Sequence, residues 1–309
     1  MANYIAIDMG TSNTRINLVC DYRICDSEKL SMGAGVGIDN NELLKCGVRD
    51  AILKLYERNS DKSVSCIIAS GMITSEGGFV NLEHLKAPCG IKELNAGIYK
   101  TVLPEISALD IVFIRGVKTN SDDFEQLDMM RGEETEIVGL SGQIEPLCLY
   151  VMPGSHSKII HTDKEGRIAS FSTELTGELM SAVSSGTILK NSVSLNGDIS
   201  MEYLEKGYLY AKEKGINAAL FKVRVLDKLK GCKREEVLGF FKGVVLAPEI
   251  DNIIKATEQK VVICGKRALR EPMTYLVSEF SDKQIISVTD EIAENASAMG
   301  AVRIYEYKN

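Results

Sequence analysis

The chain has 309 residues, 45% of them apolar and 26% charged, an ordinary globular composition with length enough for two lobes that each bury a core. A net charge of −7 and an isoelectric point near 5.3 argue against a surface built to track phosphodiester backbones, so nucleic acid is not an expected partner. No run reaches the roughly 18 to 20 uninterrupted apolar residues of a membrane-spanning helix, and Met1–Tyr4 leaves no room for a signal segment; the expectation is a cytoplasmic protein with no membrane partner.

Residues 4–19, YIAIDMGTSNTRINLV, set two apolar runs around a loop of Gly10, Thr11, Ser12 and Asn13, the pattern of a β-hairpin with a small, hydroxyl-rich turn. Asp8 ends the first run. A carboxylate there can hold a hydrated Mg2+ while residues from Gly10 to Thr14 offer backbone N–H groups to phosphate oxygens. An Asp capping a plain turn has the same appearance. Leu44, Val48, Ile52 and Leu55 recur at helical spacing, and residues 65–73 and 109–117 read as buried strands, which makes a mixed α/β lobe. Ser70, Gly71 and Met72, at the end of the first of these strands, either border a substrate or form a turn.

MRGEETE (130–136) places Glu133 and Glu134 after a glycine and before Ile137, Val138 and Leu140, as in the first turn of a helix. Acids there stabilise the helix dipole by about 0.3–1 kcal/mol each. Alternatively, one of them orients and deprotonates an attacking hydroxyl. Helical neighbours lie about 100° apart, so only one can face a site, and Glu133 is the one favoured.

From Leu147 the first pattern returns: LCLYVMPGSHSKIIHT is an apolar run, a polar loop with a glycine, and an apolar run, followed by a turn at 163–166. Aligning Gly10 on Gly154 puts Thr11 over Ser155, Asn13 over Ser157 and Asp8 over Met152, so only the first copy keeps the acid. Two facing loops of this kind could clamp a nucleotide's phosphates, with Gly154, Ser155, His156 and Ser157 as donors. Lys158 would reach the γ-phosphate, unless it is a solvated surface lysine. PGSHSK lacks the GxxxxGK[ST] spacing of a Walker A loop. Helical periodicity follows at 174–192, 201–214 and 233–246, then a strand at 260–265, a helix from about 271, and a final helix with Ile292, Ala296, Met299 and Val302 on one stripe. Thr176, Gly177 and Glu178 open the first of these helices as caps or as contacts to substrate hydroxyls. The eight cysteines form no CxxC pair and the three histidines no HExxH, so they read as reduced core residues without disulfide or zinc. With no Pro-rich or Ser-rich linker, a boundary near 141–147 is a hinge.

Together, an acid-bearing hairpin and its Gly-containing duplicate resemble the actin-like ATPase superfold. Within it the chain is similar to the 2-dehydro-3-deoxygalactonokinase family at IAIDMGTSNTR (5–15), SGMITS (70–75), MRGEET (130–135), YVMPGSHSK (150–158), TGEL (176–179) and FKVR (221–224). It departs from the family in carrying Met9 and Ile159 where tryptophans are usual, and it has no Trp at all. The resemblance implies two ribonuclease H-like lobes around an ATP cleft, residues 1–142 joined by 289–309, and residues 143–288. It also implies transfer of the γ-phosphoryl group from ATP, with Mg2+ at Asp8, to a 2-keto-3-deoxy sugar acid, giving the 6-phosphate. The adenosine would lie near Gly265, and Arg15, Arg131 or Arg224 would hold the substrate carboxylate. GEE also resembles exopolyphosphatase-like phosphohydrolases, which attack with water, and other sugar kinases and sugar-responsive repressors share the superfold. The oligomeric state stays open, a homodimer among the options.

Overall fold

The computed structural model describes residues 2–141, 144 and 146–308. The expected boundary at 142/143 lies outside them. The chain divides into two compact units: residues 1–146 with 162–171 and 291–309, and residues 147–161 with 172–290.

The first unit opens with β1 (Asn3–Met9), β2 (Thr14–Cys20) and β3 (Arg23–Leu30), then α1 (Ala34–Asp39), α2 (Asn41–Arg58), β4 (Val64–Gly71), β5 (Leu85–Lys86), α3 (Ile91–Ala96), β6 (Tyr99–Thr101), β7 (Ile111–Phe113), β8 (Val117–Lys118), β9 (Met129–Met130) and α4 (Glu133–Ser141). Its main sheet has the order β3-β2-β1-β4-β7-β6, and β5-β8-β9 form a small second sheet. Antiparallel β1–β2 pairing sets Asp8 opposite Arg15, and parallel β1–β4 pairing sets Asp8 opposite Ser70. Ile5, Ile7 and Met9 pack with Ile16 and Leu18 against Leu44, Val48, Ile52 and Leu55 of α2, the stripe legible from spacing alone. Central strands covered on both faces become nearly continuous apolar runs, which is why β1 and β4 were readable as strands.

The second unit contains β10 (Leu149–Met152), β11 (Ser157–Thr162), β12 (Ile168–Glu174), α5 (Thr176–Gly186), α6 (Met201–Lys214), α7 (Ile216–Val225), α8 (Arg234–Lys255), β13 (Lys260–Ile263), α9 (Arg267–Phe280) and β14 (Gln284–Ser287). The first residues of β12 are counted with the first unit. The sheet order is β12-β11-β10-β13-β14. Leu149, Val151 and Ile263 meet Leu204, Tyr208, Phe241 and Val244 in a separate core. The expected helix over 174–192 is shorter than its periodicity. Strand β12 runs to Glu174, and after α5 the Thr187 hydroxyl accepts from Leu189 N–H and starts a new short turn. Helix α9 begins at Arg267, four residues earlier than expected, while α7 and β14 were not foreseen.

Last comes α10 (Asp290–Glu306), which packs on α4 of the first unit. Its expected stripe is only partly the contact: Ile292 is exposed and Met299 partly so, whereas Ala296, Ser297, Ala298, Gly300 and Ala301 are buried. Small residues are needed because the two backbones nearly touch. A Cβ on Gly139 would lie 1.9 Å from Ala296 O, and one on Gly300 1.8 Å from Thr135 O. The cysteines make no disulfide, but not all are core: Cys25 is exposed and Cys20, Cys46 and Cys232 are partly so.

Candidate active site

The first hairpin loop is closed by Gly10 N–H donating to Asn13 O at 2.8 Å, and its carbonyls are tied to the start of α1. Ala34 N–H donates to Gly10 O at 3.0 Å and Gly35 N–H to Thr11 O at 2.9 Å. That approach requires Gly33, where a Cβ would sit 2.3 Å from Gly10 O. Gly10, Thr11, Ser12 and Asn13 are exposed. Thr14 is fully buried and its hydroxyl donates to Met32 O, so its side chain serves the hairpin's packing.

The second loop repeats this wiring. Gly154 N–H donates to Ser157 Oγ at 3.3 Å, Gly177 N–H to Gly154 O at 3.0 Å and Glu178 N–H to Ser155 O at 3.1 Å. Here Gly177 is the close-approach residue, its Cβ position 2.4 Å from Gly154 O. With Gly10 aligned on Gly154, the pair of carbonyls and the pair of helix-start donors correspond one for one. TGEL is therefore neither a simple side-chain cap nor, in its threonine, a free hydroxyl: the N-cap is Leu175, and Thr176 Oγ1 is buried and donates to Glu249 at 2.6 Å. Glu178 pairs with His156 Nε2 at 2.6 Å on the exposed rim of this loop. Gly265, at φ 82°, abuts the loop's first residue, its Cβ position 2.6 Å from Pro153 O. Lys158 is no solvated surface lysine; it is 5% exposed and donates to Thr173 Oγ1 at 2.5 Å. Arg224 belongs to the second unit, where it donates to Ile188 O.

A group of carboxylates forms around Asp8. Arg15 lies 4.0 Å from it, and burial nonetheless raises the Asp8 carboxyl above its ordinary range, Arg15 opposing. Gly71, at φ 80°, passes so close that a Cβ would lie 2.4 Å from Met9 O, and Gly132, at φ 112°, would carry a Cβ 3.5 Å from Gly71 Cα. The two glycines bring the start of α4 to the edge that holds Asp8. Of the adjacent acids, Glu134 is fully buried, both its oxygens accepting from Gly132 N–H at 2.9 Å, with Thr135 Oγ1 at 3.2 Å. Burial and then the charge of Glu133 push it up to about 8. Glu133 is partly exposed. One helical turn on, Glu136 is raised well above the carboxylate range by burial first, then by Asp8 and Glu133. Ser70 is buried and directed to Ile7 O, leaving Met72 as the partly exposed member of its segment. Arg131 is engaged as a brace, donating to Thr74 Oγ1 at 2.8 Å and Leu82 O at 2.6 Å.

Comparison with known proteins follows this geometry. A family model described as 2-keto-3-deoxy-galactonokinase matches residues 8–304. The chain belongs to this family. A 2-dehydro-3-deoxygalactonokinase of Escherichia coli is 26% identical over 261 residues, covering 82% of this chain and 80% of the relative. A solved structure of a candidate 2-dehydro-3-deoxygalactonokinase from Sinorhizobium meliloti superposes with a TM-score of 0.80 at 22% identity, covering 97% of both chains. The fold extends to an activator of 2-hydroxyisocaproyl-CoA dehydratase from Clostridium difficile with bound ADPNP, TM-score 0.53 at 14% identity over 98% and 93% of the chains. Membership of the galactonokinase family makes the chain an ATP-dependent phosphotransferase with an alcohol acceptor and disfavours the phosphohydrolase reading.

Two acids of this kinase were not singled out from sequence. Glu136 carries a signal in the sequence, because it follows Glu133 at i+3 and so shares its helix face. Glu249 has almost none: it sits in an apolar helix beside Pro248 and shows itself through its bonds with Thr176 and Ser157.

Proposed function

We propose that the enzyme transfers the γ-phosphoryl group of ATP to the terminal hydroxyl of 2-dehydro-3-deoxy-D-galactonate, giving the 6-phosphate. The observation that carries this reading is the duplicated loop wiring. With two carbonyls of each loop held by a helix start and the Gly10 and Gly154 amides closing the loops, the remaining loop amides are the groups left to receive anionic oxygens, as phosphoryl transfer requires. Among the described residues no three His, Cys, Asp or Glu side chains converge into a metal cage. Mg2+ is usually held by one or two carboxylates, waters and substrate phosphates, and Asp8 with Glu136 fits that pattern. The ion would neutralise charge on the phosphates. Glu133 is assigned the base that takes the hydroxyl proton, and Glu134 the structural acid that fixes the start of α4. In the domain reading, residues 1–142 with 289–309 carry the metal and sugar-acid groups, and residues 143–288 the second phosphate loop and the nucleotide base.

The test is ADP release with ATP and Mg2+ across 2-keto-3-deoxy sugar acids, neutral hexoses and water. Turnover specific to 2-dehydro-3-deoxygalactonate is expected, with the phosphate on C6 by NMR. Sugar-independent phosphate release would overturn the reading.

A further inference from the structure

Strands β1, β4 and β7 lie side by side and parallel, so their C-terminal ends share one edge of the main sheet. Asp8 stands at that edge on β1 and Gly71 on β4. On β7 the corresponding place falls just after Phe113, where Ile114 N–H still bonds Ala69 O at 2.9 Å and the next residue is Arg115. The chain is then pinned: a Cβ on Gly116 would lie 2.4 Å from Met130 O and 2.5 Å from Arg131 Cγ. Arg115 is thereby fixed beside the segment that leads into α4 and its acids.

Arg115 is partly buried, and its Nε is buried with no hydrogen-bond partner. Among the described residues its guanidinium enters no hydrogen bond or ion pair. Of the other arginines of this unit, Arg58 is held by Asp26 and Glu28, Arg131 by Thr74 and Leu82, and Arg303 by the carbonyls of Val138 and Gly139, while Arg15 makes only a 4.0 Å approach to Asp8. A guanidinium does not shed its proton in a protein, so a partly desolvated one without a partner is costly unless a ligand completes it. A substrate carboxylate near the Asp8, Glu133 and Glu136 acids is favoured by positive charge on the same edge beyond that of Arg15, which Asp8 already draws to itself.

We infer that Arg115 is the specificity-determining residue that binds the C1 carboxylate of the sugar acid, through a bidentate pair that its unpartnered guanidinium at the β7 end is free to make. This rests on the kinase reading above and sets Arg115 ahead of Arg131, which is engaged with Thr74 and Leu82, and of Arg15, which is drawn to Asp8. The test compares the native enzyme with Arg115→Met and Arg115→Lys on 2-dehydro-3-deoxygalactonate and on its C1 carboxamide. Loss of a bidentate charged pair should raise KM for the acid about 100-fold in R115M, leave KM for ATP unchanged and abolish the preference for acid over amide. R115K, which keeps charge but not the fork, should raise KM for the acid about 10-fold with an unchanged circular dichroism spectrum. This second variant decides the matter if R115M does not fold. An unchanged KM for the acid in R115K or in folded R115M, or a rise confined to ATP, overturns the inference while leaving the kinase reading intact. A native enzyme that phosphorylates no 2-keto-3-deoxy acid overturns both.

Discussion

Glu133, Glu134 and Glu136 are separated by one to three positions in sequence, yet the fold gives them different work. Glu134 points inward and holds the Gly132 N–H, so Glu134→Ala should cost about 1–3 kcal/mol through an orphaned buried donor, seen as a lower melting temperature. Glu133→Gln should leave melting unchanged and lower kcat by about 10²–10⁴, the range of a general base. The reverse pattern would exchange their roles. Asp8→Asn should lose nearly all turnover with the fold retained, read by activity and circular dichroism. Sequence showed that only one of the adjacent acids can face a site, because helix geometry alone decides that. It did not show which buried donor Glu134 would meet, since Gly132 N–H is exposed to it only through the φ of 112° at that glycine.

Among the elements, the two hairpins were legible as repeats because apolar runs and a small polar loop are local features. Their fastening was not. Gly33 and Gly177 each lie more than twenty residues from the loop glycine they touch, and nothing in spacing says that a helix start will return to a particular carbonyl. Gly177→Ala therefore gives a sharp check: its methyl would meet Gly154 O at 2.4 Å, and the strain should cost about 1–3 kcal/mol and raise KM for ATP. Gly186→Ala in the same helix meets nothing within 4 Å and should be neutral or stabilising by up to about 1 kcal/mol. The last helix shows the opposite limit of periodicity. Hydrophobic spacing picked out Ile292 and Met299, but a close crossing selects for small size, so alanines and glycine do the packing.

For the molecule as a whole, pH should act on stability through Glu249. Burial first, and the charge of Glu174, raise its carboxyl from 4.5 to about 7, against the bonds from Thr176 and Ser157. The folded chain keeps this proton up to about pH 7 whereas the unfolded chain releases it near 4.5, so the contribution is complete below pH 4.5 and is lost as pH rises through 7. The shift corresponds to roughly 3 kcal/mol. Glu249→Gln should flatten the fall in melting temperature between pH 5 and pH 8; an equal fall in both proteins would remove Glu249 from the account. Fold class and the paired Gly-containing loops could be read from the chain, whereas Glu249 acquires its meaning only from Thr176, far away in sequence.

The order of the pieces also sets a schedule. Helix α4, which carries the acids, is backed by α10, and all of residues 147–161 and 172–290 are synthesised between them. On the ribosome the acid-bearing helix must wait, its glycine face uncovered, until the whole second unit has emerged. The carboxylates of α4 thus gain the backing of α10 only after the second Gly-containing loop has been made, so a nascent chain holds the parts of a kinase before it is assembled.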